Sequence, residues 1–88
     1  MMTDDVIRAH KYSSNNQPSL QEDHRCGCFY CGRIFDPAEI DEYLKADNPI
    51  DNLGTAVCPY CGIDSVIGES SGYPITNDFL QEMNRYWF

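Results

Sequence analysis

The stretches CGCFYCG (26–32) and CPYCG (58–62) both carry the form C-x-Tyr-C-Gly, and this duplication constrains the chain more than any other feature. A single C-x-x-C pair can serve as a redox dithiol, a disulfide or half of a metal site. Two matching pairs, Cys28 with Cys31 and Cys58 with Cys61, point to two halves of one metal site. Two residues between ligands let a tight turn aim both sulfurs at one cation, and four thiolates fill a tetrahedron at about 2.3 Å from zinc. Gly32 and Gly62, each following a second cysteine, can take the positive φ that turns the chain away. Pro59 fixes φ inside the second turn and removes one backbone donor.

The chain needs such a staple. It has 88 residues, enough for one domain, and Leu, Ile, Val and Phe supply only 18 of them. A domain this small buries a modest share of its surface and commonly relies on a metal or disulfides. The cysteine count is five, and an odd number argues against a fully paired disulfide framework. No run is long and apolar enough to cross a bilayer, and the start MMTDDVIRAHK has acids where a signal peptide carries bases. The expected location is cytoplasmic, where thiols stay reduced and C-x-x-C pairs serve metals or catalysis.

The formal net charge is −8. Residues 1–25 hold four acids and three bases, whereas residues 26–88 hold ten acids and three bases. A zinc held by four thiolates adds a further −2, since the four negative charges meet one divalent cation. Phosphate backbones are drawn to basic patches, so nucleic acid is an unfavoured partner. Solubility and a basic protein partner are the natural consequences of such a surface.

Along the chain, residues 1–25 are polar, and YSSNNQPSLQED is rich in turn and disorder formers, which predicts a flexible N-terminal arm ahead of a zinc-binding domain over 26–88. His24, two residues before Cys26, is a candidate ligand, although an exposed histidine without that role is the commoner case. DPAEIDEYLKAD predicts a helix over 36–46: Asp36 caps, Pro37 suits the first position, Glu39 completes a capping box, and Ile40, Tyr43 and Leu44 share one face. TAVCPYCGIDSVIG reads as strand, tight turn, strand. ITNDFLQEMNRYWF reads as a closing helix capped by Thr76 or Asn77, with Phe79, Leu80, Met83 and Trp87 as its apolar stripe. Its aromatic end, YWF, is the candidate contact for a partner or for self-association. Cys26 is the leftover thiol; the matching C-x-Tyr-C-Gly context favours Cys28 as the ligand, leaving Cys26 as an inert neighbour.

Two known families share parts of these motifs. CPYC resembles the active-site string of glutaredoxins, but there it opens a helix that lowers the first thiol's pKa, whereas here GIDSVIG follows and only 27 residues remain after Cys61. The paired C-x-x-C-G knuckles also resemble rubredoxins, which hold one iron in four thiolates and carry electrons. The rubredoxin middle, aromatic and built of loops, is replaced here by an acidic amphipathic helix, yet a tetrahedral four-sulfur site suits zinc and iron alike. Over nearly its full length the chain resembles a group of small uncharacterised bacterial cytoplasmic proteins, through AHKYSSNN, CGCFYC, AVCPYCGIDSVIG and SGYPITNDFL with YWF. That likeness implies a cytoplasmic protein with a zinc-ribbon-like fold, and an N-terminal segment that belongs to the working unit.

The expected fold is therefore a small α+β, zinc-ribbon-like domain. It has two zinc knuckles, a short β-hairpin carrying the second, and two helices; a treble clef is the alternative. The expected site is Cys28, Cys31, Cys58 and Cys61 around one structural zinc. The function expected of it is that of a protein-interaction or regulatory module. The alternatives are a rubredoxin-like iron carrier and a nucleic-acid-associated zinc ribbon. No Ser-His-Asp or paired-carboxylate arrangement is recognisable, and His10, Asp64 and Ser65 are the residues a spatial cluster could use.

Overall fold

The computed structural model describes residues 2–44 and 54–88. Helix α1 (Met2–Ala9) leads into a 3-10 turn (His10–Ser13) and helix α2 (Gln17–Glu22). Strands β1 (Cys26–Cys28) and β2 (Ile34–Phe35) follow, then a 3-10 turn (Pro37–Glu39), β3 (Tyr43–Leu44), β4 (Thr55–Ala56) and β5 (Val66–Gly68). A last 3-10 turn (Glu69–Ser71) precedes helix α3 (Asn77–Trp87). The architecture is small α+β: a three-stranded antiparallel sheet ordered β2-β1-β5 and a two-stranded one formed by β3 and β4.

Among the described residues, two apolar clusters hold the elements together. One packs α1 on α3 and the three-stranded sheet through Val6, Ala9, Phe29, Ile67, Phe79, Leu80 and Met83. Helix α3 forms as its sequence predicts, with the Thr76 hydroxyl accepting from the Phe79 N–H at 3.3 Å. Gly27 lets this helix approach β1 closely, because a Cβ there would lie 2.7 Å from Leu80 Cδ1. The other cluster surrounds the cysteines and includes Leu20, Phe35, Ile40, Ala56 and Val66 with Cys26, Cys28 and Cys58.

Four expectations are corrected. Where a flexible arm was expected over 1–25, the segment 2–22 is mostly helical and packs through Val6, Ala9 and Leu20. Its polar residues are satisfied inside the fold: buried Asn16 donates from Nδ2 to the Val66 carbonyl at 2.8 Å and accepts at Oδ1 from the Ala56 N–H at 3.0 Å. The helix expected over 36–46 stops after one 3-10 turn, although the Asp36–Glu39 capping box is present. Ile40 turns extended and enters the cysteine cluster, β3 pairs with β4, and Leu44 stays exposed. Residues 45–46 of that expected helix lie outside the described residues.

The hairpin was expected at the second knuckle, and it forms at the first, where Cys26 pairs with Phe35 and Gly27 with Ile34. The strands flanking the second knuckle part instead. β4 joins β3, and β5, whose three residues are all buried, joins β1. Among the described residues there are three α-helices, where two were expected. Cys61 is followed by β5 and not by a helix.

Candidate metal centre

The two knuckles have the same backbone construction. In the first, Cys28 N–H donates to Arg33 O and Gly32 N–H to Cys28 O, at 2.9 and 2.8 Å; in the second, Cys58 N–H donates to Ile63 O and Gly62 N–H to Cys58 O, at 3.0 and 2.9 Å. Gly32 and Gly62 sit at φ of 82° and 80°, a conformation that costs a residue with a Cβ about 1–2 kcal/mol. Tyr30 N–H and Tyr60 N–H each point at the first sulfur of their own knuckle, at 3.4 Å.

These turns bring the four expected residues together. The sulfurs of Cys28, Cys31, Cys58 and Cys61 all lie within 4.8 Å of one another. The close approaches run between knuckles, Cys28 to Cys61 at 3.6 Å and Cys31 to Cys58 at 3.7 Å. Ligands at about 2.3 Å from a central zinc stand about 3.8 Å apart in a regular tetrahedron, so the sulfur spacing fits a four-thiolate metal. All five cysteines are free of disulfides. Cys28 and Cys58 are buried, Cys61 is half-buried and Cys31 is exposed.

Burial acts on these thiols unequally. On Cys28 it raises the pKa, but hydrogen bonds from Ser65 and from the Cys31 and Tyr30 N–H groups outweigh it, and the net shift is downward. On Cys58 burial prevails over the Tyr60 and Cys61 N–H groups, and the thiol is raised. Cys61 is raised more strongly, again chiefly by burial.

Cys26 and His24 are not among the clustered four. The Cys26 thiol is fully buried, donates to Phe35 O at 3.5 Å, and is pushed up to about 12 by burial and then by the Asp36 carboxylate. It is a protonated thiol within the fold. His24 is exposed, and its N–H donates to Glu69 Oε1 at 2.9 Å. His10 packs against Trp87, with ring centroids 4.0 Å apart and the planes tilted by 34°. The Ser65 hydroxyl, by contrast, is 3.0 Å from Cys28 Sγ.

Residues that the spacing argument did not single out join the knuckles. Tyr60 donates its hydroxyl to Glu39 Oε1, which raises the phenol's pKa, while Glu39 Oε2 accepts from the Asp36 N–H at 3.1 Å. The Arg33 guanidinium of the first knuckle lies over the Tyr60 ring of the second, 4.5 Å from its centroid. Nothing in a C-x-x-C spacing signals such contacts. Ser65 did carry a signal, as a lone hydroxyl beside the apolar run Val66–Ile67.

No protein-family model, curated protein or solved structure matches the chain.

Proposed function

We propose that the chain is a zinc-ribbon-like module in which Cys28, Cys31, Cys58 and Cys61 hold one structural zinc, and that it works by binding a protein partner. The observation that carries this reading is the meeting of four sulfurs within 4.8 Å, from two turns more than two dozen residues apart in sequence. Four protein ligands complete a tetrahedral zinc and leave no position for a reacting water, so the metal supplies folding free energy and not chemistry. The acidic surface, with a net charge of −8, favours a basic partner. Exposed Tyr86, Trp87 and Phe88 at the end of α3 are the apolar residues such a partner can cover.

A second reading, a rubredoxin-like iron carrier, is favoured by one observation. Cys31 is exposed, which would give an iron centre a thiolate at the surface for electron exchange. A nucleic-acid-associated ribbon is opposed by the acid excess over residues 26–88.

Elemental analysis of protein purified without added metal separates these readings. One zinc per chain, with four thiols released by chelation, is the expected result. Iron at that stoichiometry, in coloured protein, selects the electron carrier. Protein that carries no metal and takes none up overturns both.

A further inference from the structure

We infer that Ser65 is a positioning residue for the metal centre, its hydroxyl donating to the Cys28 thiolate and tuning how strongly that ligand gives charge to the metal. The inference rests on the four-cysteine reading above. Its starting point is an asymmetry between two otherwise matching knuckles. Tyr30 N–H and Tyr60 N–H approach Cys28 Sγ and Cys58 Sγ at the same 3.4 Å. The Ser65 hydroxyl, 3.0 Å from Cys28 Sγ, has no counterpart at Cys58 among the hydrogen bonds of the described residues.

Two further observations show what this hydroxyl is for. Ser65 is 1% exposed, and a buried hydroxyl without a partner is costly, so the sulfur satisfies a group that water cannot reach. A metal-bound thiolate carries no proton, so the direction of the bond is set: oxygen donates and sulfur accepts. Residue 65 is also held in place without its side chain, because its carbonyl accepts from the Phe29 N–H at 2.9 Å, inside the first knuckle. Removing the hydroxyl therefore leaves the backbone anchor intact.

The physical consequence follows from charge. Four thiolates around a divalent cation leave a net −2 in a partly buried place, and each donor aimed at sulfur lowers that cost. A hydrogen bond also lowers the energy of the sulfur lone pair, so charge transfer from Cys28 to a metal needs more energy with Ser65 present. Partners that orient metal ligands in this way typically account for about 10–100-fold in metal affinity.

The test uses the full chain loaded with Co(II) as a spectroscopic probe and titrated against a chromogenic chelator with Zn(II). Ser65→Ala is expected to move the sulfur-to-cobalt charge-transfer band to longer wavelength and to weaken Zn(II) binding about 10-fold or more. Ser13→Ala is the control, since it removes another buried hydroxyl, one bonded to the His10 carbonyl at 2.7 Å; it acts on binding only through the fold, and the band should stay in place. A band that stays in place in metal-loaded Ser65→Ala overturns the inference alone. A wild-type chain that takes up neither metal overturns the four-cysteine reading, and this one with it. Should Ser65→Ala take up no cobalt, Ser65→Thr decides: it keeps a hydroxyl, so uptake with the wild-type band supports the role and failure to bind rejects it.

Discussion

The Asn16 amide meets the Val66 carbonyl with its nitrogen and the Ala56 N–H with its oxygen, and so bridges the two sheets with one buried side chain. Replacing it by alanine strands a buried donor and a buried acceptor, each costing about 1–3 kcal/mol. Asn16→Ala is therefore expected to destabilise the chain by roughly 2–4 kcal/mol, read by denaturant unfolding at constant metal concentration. A change below about 0.5 kcal/mol, the range of ordinary surface substitutions, would show that the bridge is unimportant. Legibility at this scale was uneven. The four clustered cysteines could be named from spacing, because a ligand's sequence neighbours reveal its turn. Asn16 could not, since its role depends on groups forty and fifty residues away.

Helices α1 and α3 form one packed unit, in which Trp87 Nε1 donates to the Val6 carbonyl at 2.9 Å over the apolar cluster of Val6, Ala9, Phe79 and Met83. Deleting residues 1–9 uncovers this cluster and removes the tryptophan's partner. The expected result is a loss of at least about 2 kcal/mol, together with binding of a hydrophobic dye that the full chain does not bind. If the shortened chain unfolds at the same denaturant concentration as the full one, α1 contributes nothing. At the level of elements the local signals were sound and their extent was not. The Asp36–Glu39 capping box forms, yet the helix it opens is only the 3-10 turn Pro37–Glu39. Helix α3 forms where its sequence predicts because cap, apolar stripe and burial favour one conformation, with Trp87 alone of the stripe left exposed. In 36–44 the helical pattern competes with pairing to Thr55–Ala56 and with the place Ile40 takes beside the cysteines, and the long-range contacts win.

For the molecule as a whole, metal and fold are expected to be linked. The bound form holds thiolates and the metal-free form holds thiols, so protons compete with the metal and stability falls as pH falls. Cys58 and Cys61, raised by burial, hold their protons more strongly than Cys28, which is lowered overall. Between about pH 8 and pH 5 the melting temperature of the metal-loaded chain should fall as metal is released, and a strong chelator at neutral pH should produce the same unfolding. A melting temperature unmoved by chelation would mean that the core holds the fold without a metal. By itself, the sequence determined the α+β class, the two glycine-closed turns, the four cysteines they present and the closing helix. Each follows from interactions within about a dozen residues, where backbone geometry and periodicity leave few alternatives. Only the tertiary structure decided that Val6, Ala9 and Leu20 of the N-terminal segment pack into the core, that the strands beside the second knuckle go to different sheets, and that Ser65 faces Cys28. Those outcomes depend on which distant groups satisfy one another once water is excluded, and no local pattern encodes that choice.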